Sequence, residues 1–164
     1  MALTIEDGTG IAAADSWATT AELDTFIAAR GLTAGVDDAA NEILLRKAAD
    51  YLDGMEDKFK GYRTTTTQRL PFPRLDVWLH REYLDQAAIP EMLKNAQCQL
   101  AVELFTKDIR PDGVTAEVIR EKVGPIETEY TSQGSTNGQP TYNKAMDFIA
   151  VLFKSTGFVP VFKA

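Results

Sequence analysis

Between two segments whose apolar residues recur at helical spacing lies a run from Gly61 to Ile89, broken by Pro71 and Pro73 and closed by Pro90. Each proline fixes φ and removes a backbone donor, so 61–74 fits neither a helix interior nor a central strand. The run is an extended crossing from one helix to the next, and it is longer than most helix connections. Connections of that length hold short hidden elements or have a function, and both are expected here.

The flanking helices follow from period. Over 38–59, Leu44, Ala48, Tyr51, Met55 and Phe59 recur at steps of three and four, with Leu45 and Leu52 beside them and Gly61 as the stop. The far side of this helix carries Glu42, Asp50, Asp53 and Asp57, an acidic outer face. The next helix opens with Pro90 in its first turn and carries Leu93, Ala96, Leu100, Ala101, Leu104 and Phe105 along one stripe, ending at Pro111 to Gly113. Ahead of both, Thr19-Thr20-Ala21-Glu22 reads as a capping box. It starts a short helix that turns Leu23, Phe26 and Ile27 inward and stops at Gly31. A last helix is expected over 141–154, with Met146, Ile149, Ala150 and Phe153 inward. Phe148 and Leu152 widen its apolar surface beyond what a small bundle needs.

Between the third and fourth helices the residues 117–123 alternate weakly, and Ile126, Thr128 and Tyr130 resume the alternation after Gly124-Pro125. This reads as a long bent ribbon whose edge groups need a partner inside the chain or from a neighbouring copy, tipped by the polar stretch 132–139. After Gly157 come Phe158, Val159, Pro160, Val161 and Phe162, too apolar to stay in water, so this tail is expected to dock either on its own core or, the favoured reading, on another subunit. The fold class is therefore mainly α: a small bundle of about four helices with a ribbon or β-hairpin-like segment and an extended C-terminal tail. One domain spans 1–164, its helical core about 16–110 and 140–156, its ribbon 114–139 and its tail 157–164.

Composition narrows the function. The formal net charge of −7 argues against a generic nucleic-acid binder, because non-specific affinity comes mostly from Lys and Arg neutralising phosphates. The most basic stretch holds Lys58, Lys60, Tyr62, Arg63, Arg69, Phe72 and Arg74, the best local candidate for a single-strand groove with aromatic platforms. His80 is the only histidine and reads as a loop residue, and Cys98 reads as buried packing. No nucleophile elbow, phosphate-binding glycine loop or zinc spacing accompanies them, so the chain reads as no enzyme, with no catalytic residue, metal or cofactor. Asp50, Asp53 and Asp57 read as solvated charge rather than cation ligands. There is no apolar run of membrane-spanning length and no secretory pattern at Met1-Ala2-Leu3-Thr4-Ile5, so a chain kept in the cytosol, with no membrane partner, is expected.

An ordered series of segments carries a family resemblance. It comprises Thr4-Ile5-Glu6-Asp7-Gly8-Thr9-Gly10 with Asp15-Ser16, Lys47-Ala48-Ala49-Asp50-Tyr51-Leu52-Asp53, the crossing with Gln68 and Phe72-Pro73-Arg74, Ile89-Pro90, and Lys122-Val123-Gly124-Pro125-Ile126-Glu127. On these the chain resembles the head-tail connector, or adaptor, proteins of tailed bacteriophages, a family also labelled DnaT-like single-stranded-DNA-binding protein. The resemblance implies a virion protein, made in the host bacterial cytoplasm, that forms a ring of probable dodecameric size below the portal. It would extend the DNA channel toward a downstream neck or tail-completion protein, passing double-stranded DNA without specific binding.

On that reading the subunit and portal interfaces fall on Phe158, Val159, Pro160, Val161 and Phe162 and on Val123, Gly124, Pro125, Ile126 and Tyr130. A neighbour or DNA contact falls on Arg63, Gln68, Arg69, Phe72, Pro73 and Arg74, and an acidic channel face on Glu42, Asp50, Asp53 and Asp57. The alternative expectation is a single-stranded-DNA-binding protein acting in phage DNA replication.

Overall fold

Thr19 opens the first helix as its sequence requires. Its hydroxyl accepts from the Glu22 amide at 3.1 Å, and the Glu22 carboxylate accepts from the Thr19 amide at 2.7 Å. Helix α1 (Thr20–Arg30) then stops at Gly31, which takes the left-handed conformation (φ 60°) that a side chain disfavours. The structure, a computed structural model, describes residues 2–106, 120–123, 126–129 and 142–154.

Helix α2 (Asp38–Asp53) is capped by the Asp37 carboxylate and buries Leu44, Leu45, Ala48, Ala49 and Leu52. It ends at Asp53, six residues short of the expected end at Phe59, because Gly54 opens a break, and a 3₁₀ turn, Glu56–Lys58, follows. The turn leaves Phe59 extended and fully buried, bridged antiparallel to Phe153 instead of sitting on a helix face. Helix α3 (Glu91–Thr106) begins directly after Pro90 and packs against both α2 and α4 (Asn143–Ile149). Phe105, expected on its inner stripe, is about half exposed.

The fourth helix is shorter than its sequence suggests, passing into a 3₁₀ turn, Ala150–Leu152. Its buried positions are Tyr142, Ala145, Ile149 and Leu152, whereas Ala150 faces solvent. Leu152 is fully covered and Phe148 meets Phe26 edge to face at 6.2 Å, so the apolar surface that seemed surplus belongs to the protein's own core. Gln97, at the centre of α3, joins three segments. Its carbonyl accepts from the Trp17 and Ala18 amides, and its amide donates to Ser16 Oγ and the Leu45 carbonyl, at 2.7–3.0 Å. A buried polar side chain is tolerated here because all its capacity is used.

The crossing holds four short strands in two antiparallel pairs. Strand β1 (Tyr62–Arg63) pairs with β2 (Arg74–Leu75), and β3 (Trp78–Leu79) pairs with β4 (Glu82–Tyr83). Gly61 permits the first pair: at φ 70°, a Cβ there would lie 2.0 Å from the Leu75 carbonyl oxygen.

The chain divides into two units, 1–107 with 142–164, and 108–141. In the second, β5 (Arg120–Val123) pairs antiparallel with β6 (Ile126–Glu129), Val123 opposite Ile126. The two halves of the expected ribbon thus pair with each other, so of the two partners the sequence left open, one inside the chain and one in a neighbouring copy, these strands take the first. Gly124, Pro125, Tyr130 and the tail residues Phe158, Val159, Pro160, Val161 and Phe162 lie outside the described residues. The described residues hold four α-helices and three small antiparallel strand pairs, which agrees with the coarse expectation of about four helices and a hairpin-like segment. Among the described residues no helix is long and apolar enough to cross a membrane.

Candidate nucleic-acid interface

The basic stretch that sequence singles out commits its arginines to partners within the protein, although only Arg74 is buried and Arg69 stays exposed. Arg63 forms a bidentate pair with the Glu56 carboxylate, and its remaining nitrogen donates to the Gln68 carbonyl at 2.6 Å. The Arg63 hydrogen bonds hold the Glu56 carboxyl below the ordinary glutamate range against the opposing effect of burial. Arg69 spans from the Ala14 carbonyl, 2.9 Å, to Asp50, 2.7 Å. Arg74 is 96% covered, its side chain only 4% exposed, and donates to the Lys60, Gly61 and Pro71 carbonyls at 2.8–3.2 Å. Burial pushes its guanidinium below the usual arginine range, and Glu56 works against that.

The other members of the stretch divide. Gln68 is buried, accepting from Thr65 and donating to the Leu70 and Pro73 carbonyls across a cis Phe72–Pro73 peptide. Phe72 is fully buried edge to face against Phe59, 5.3 Å between centroids, and its carbonyl accepts from the Trp17 indole. Phe72 is therefore no platform for a base. Lys60 reaches the Val151 carbonyl, and Lys58 is exposed.

The acids read as an outer face of α2 are not one bare face: two of them are counter-ions to this crossing and Glu42 pairs within its own helix. Asp50 binds Arg69, Asp53 lies 3.6 Å from Arg63, and Glu42 lies 3.6 Å from Arg46. Burial raises the Asp53 carboxyl above its ordinary range, with Arg63 opposing, and its Oδ1 has no hydrogen-bond partner. Asp57 stays exposed. Among the described residues no group of three His, Cys, Asp or Glu side chains could hold a metal ion. Cys98 is buried, and loss of solvation pushes its thiol up to about 12.

What the crossing does present is aromatic. Tyr62, Trp78 and Tyr83 are 70%, 51% and 67% exposed, and all three line one open groove of about 590 Å³. Trp78 and Tyr83 sit opposite each other across β3–β4, with ring centroids 4.8 Å apart at 72°. Their hairpin turns through His80 and Arg81, both at positive φ (49° and 74°), which is the backbone a two-residue turn between twisted strands needs. Arg74 and Lys154 bring positive charge to the groove, and Glu56, Asp57 and Asp76 bring negative charge. Trp78 and Tyr83 escaped the sequence reading. The signal that could have found them is the aromatic pair flanking four residues, Leu79-His80-Arg81-Glu82, at hairpin spacing.

A family model described as "Putative DnaT-like ssDNA binding protein" matches residues 1–163 of the chain. The chain belongs to that family. Searches of curated proteins and of solved structures returned no match. Membership in the DnaT-like ssDNA binding family corrects the head-tail connector reading, and with it the dodecameric ring, the portal and neck partners and the DNA channel. The physical argument for a ring also weakens, since the ribbon halves pair together and the fourth helix buries its own apolar face.

Proposed function

We propose that this chain is a non-catalytic single-stranded-DNA-binding protein that holds bases on the aromatic rim of its crossing. The observation that carries the reading is the convergence of Tyr62, Trp78 and Tyr83, all exposed, on one groove. Every base has a π-face, so stacking on such side chains binds single strands with little sequence preference. The family's description, which names ssDNA binding, supports the same conclusion. The finer architecture proposed with it is a mainly α bundle that serves as a rigid mount for the two crossing hairpins.

Fluorescence makes the test direct. Trp17 is fully buried and Trp78 is half exposed, so quenching on titration with an oligothymidylate reads Trp78. Saturable quenching is expected. Trp78→Ala and Tyr83→Ala should each weaken binding of a dye-labelled strand, read by anisotropy, by about 1–3 kcal/mol without moving the unfolding midpoint. A protein that binds no single strand at low salt would end the proposal.

A further inference from the structure

We infer that the groove takes bases and turns phosphates away, so that binding depends weakly on salt and duplex DNA is refused. The inference rests on the single-strand reading and adds the mode of recognition to it. Three observations carry it.

The first concerns donors. A phosphate-gripping groove needs guanidinium and ammonium groups aimed outward. Here Arg63 is committed to Glu56 and the Gln68 carbonyl, Arg69 to Asp50 and the Ala14 carbonyl, and Arg74 to three backbone carbonyls. Lys154 also donates to a carbonyl, that of Asp57. Recruiting any of the three arginines to a phosphate would cost a contact that ties the crossing to itself or to the segments beneath it, which leaves exposed Lys154, with donors to spare, as the groove cation a phosphate could reach.

The second concerns charge. The carboxylates of Glu56, Asp57 and Asp76 outnumber the cations Arg74 and Lys154 around the groove, and Asp57 and Asp76 are exposed. A phosphate backbone laid into it would meet net negative charge.

The third concerns what remains for attraction. Tyr62, Trp78 and Tyr83 offer open ring surface, and stacking is available only to bases not already stacked in a duplex. Selectivity for single strands then arises from two sides: unstacked bases gain contact with the rings, and the rigid, phosphate-lined face of a duplex meets carboxylates.

The test is a salt titration of the whole protein with three probes: an oligothymidylate, an abasic strand of equal length, and a duplex. Each neutralised phosphate of a single strand contributes a slope of about −0.7 to log K against log salt. A slope shallower than about −1.5, abasic binding at least about tenfold weaker, and duplex binding weaker still are expected. A steeper slope, or equal affinity for the abasic strand, would overturn the base-in mode while leaving single-strand binding intact. No binding to any strand would overturn the single-strand reading itself, and this inference with it. Asp57→Asn with Asp76→Asn should strengthen duplex binding at low salt severalfold, Asn being tolerated at the positive φ (56°) of position 76. Unchanged duplex affinity in that variant would show that the carboxylates do not exclude phosphate.

Discussion

The two halves of the crossing use similar residues to opposite ends. From Gly61 to Arg74 the arginines are held by partners within the protein: Arg74 is almost fully covered, Arg63 is clamped by Glu56, Arg69 is tied to Asp50 and the Ala14 carbonyl, and Phe72 sits in the core. From Asp76 to Tyr83 the aromatic groups point outward on a two-residue hairpin, and its Leu79 and the preceding Val77 face in to anchor it. An arginine can be architecture and a tryptophan can be surface. Residue type alone therefore misplaces the binding face, because what matters is which groups the backbone carbonyls have already claimed.

The largest effect that could separate the halves is expected at Arg74. Arg74→Ala leaves three carbonyls without their donor in a covered site, and should cost about 3 kcal/mol or more in urea unfolding. Protein that remains folded should still bind a single strand. Loss of strand binding with unchanged stability would reverse the roles assigned to the two halves.

Next in size, Tyr83→Ala combined with Trp78→Ala should weaken strand binding by more than either alone, by about 1–3 kcal/mol per lost stacking platform, with the urea midpoint held. A shifted midpoint would instead assign the outer half to the core.

Smaller still is a pH effect at the inner half. Arg63 holds the Glu56 carboxyl low, so the folded state binds its proton less readily than the unfolded chain does. That stability is present above the ordinary glutamate range, near pH 4.3, and is lost as pH falls through the lowered folded value. Both groups are partly exposed, so the term is about 0.5 kcal/mol after solvent screening. Arg63→Met should flatten the acid limb of stability measured against pH, and an unchanged limb would deny the pair that role.

The smallest effect belongs to Asp53. Burial raises its carboxyl, so the folded state keeps this proton to higher pH and stability declines as pH rises through that range, opposite in sign to Glu56. Asp53→Asn should leave stability at neutral pH within about 0.5 kcal/mol of the parent or slightly above it. A loss greater than that would show the Arg63 attraction outweighing burial.

Much of the helical frame is legible in the sequence for identifiable reasons. The Thr19–Glu22 capping box, Gly31 after Arg30 and Pro90 before Glu91 are local signals, and the backbone obeys them within a few residues. The end of α2 is misread because the apolar period continues through Met55 and Phe59, although Gly54 interrupts the helix and Phe59 is buried from an extended conformation. The last helix is misread in its inner face for a similar reason: apolar residues surround it, and only the position of α3 selects Tyr142, Ala145, Ile149 and Leu152. At the candidate site, Tyr62 stood out beside the basic residues, whereas Trp78 and Tyr83 carried only the weak signal of their hairpin spacing. The β3–β4 hairpin turns on His80 and Arg81 without the Gly or Asn that ordinarily announces such a turn.

Order along the chain, from capping box through Pro-punctuated crossing to the helix that opens after Pro90, was settled by the sequence alone, because caps, breakers and apolar period act over a few residues. Which arginines are spent on carbonyls and which aromatics are left in water was settled only by the folded arrangement. Gln97 joining Trp17 to Leu45, and Arg74 closing on Lys60 and Gly61, depend on segments far apart in sequence meeting in space. Hydrogen-bond capacity is finite, so a side chain's availability to a ligand is decided by the contacts made elsewhere in the fold.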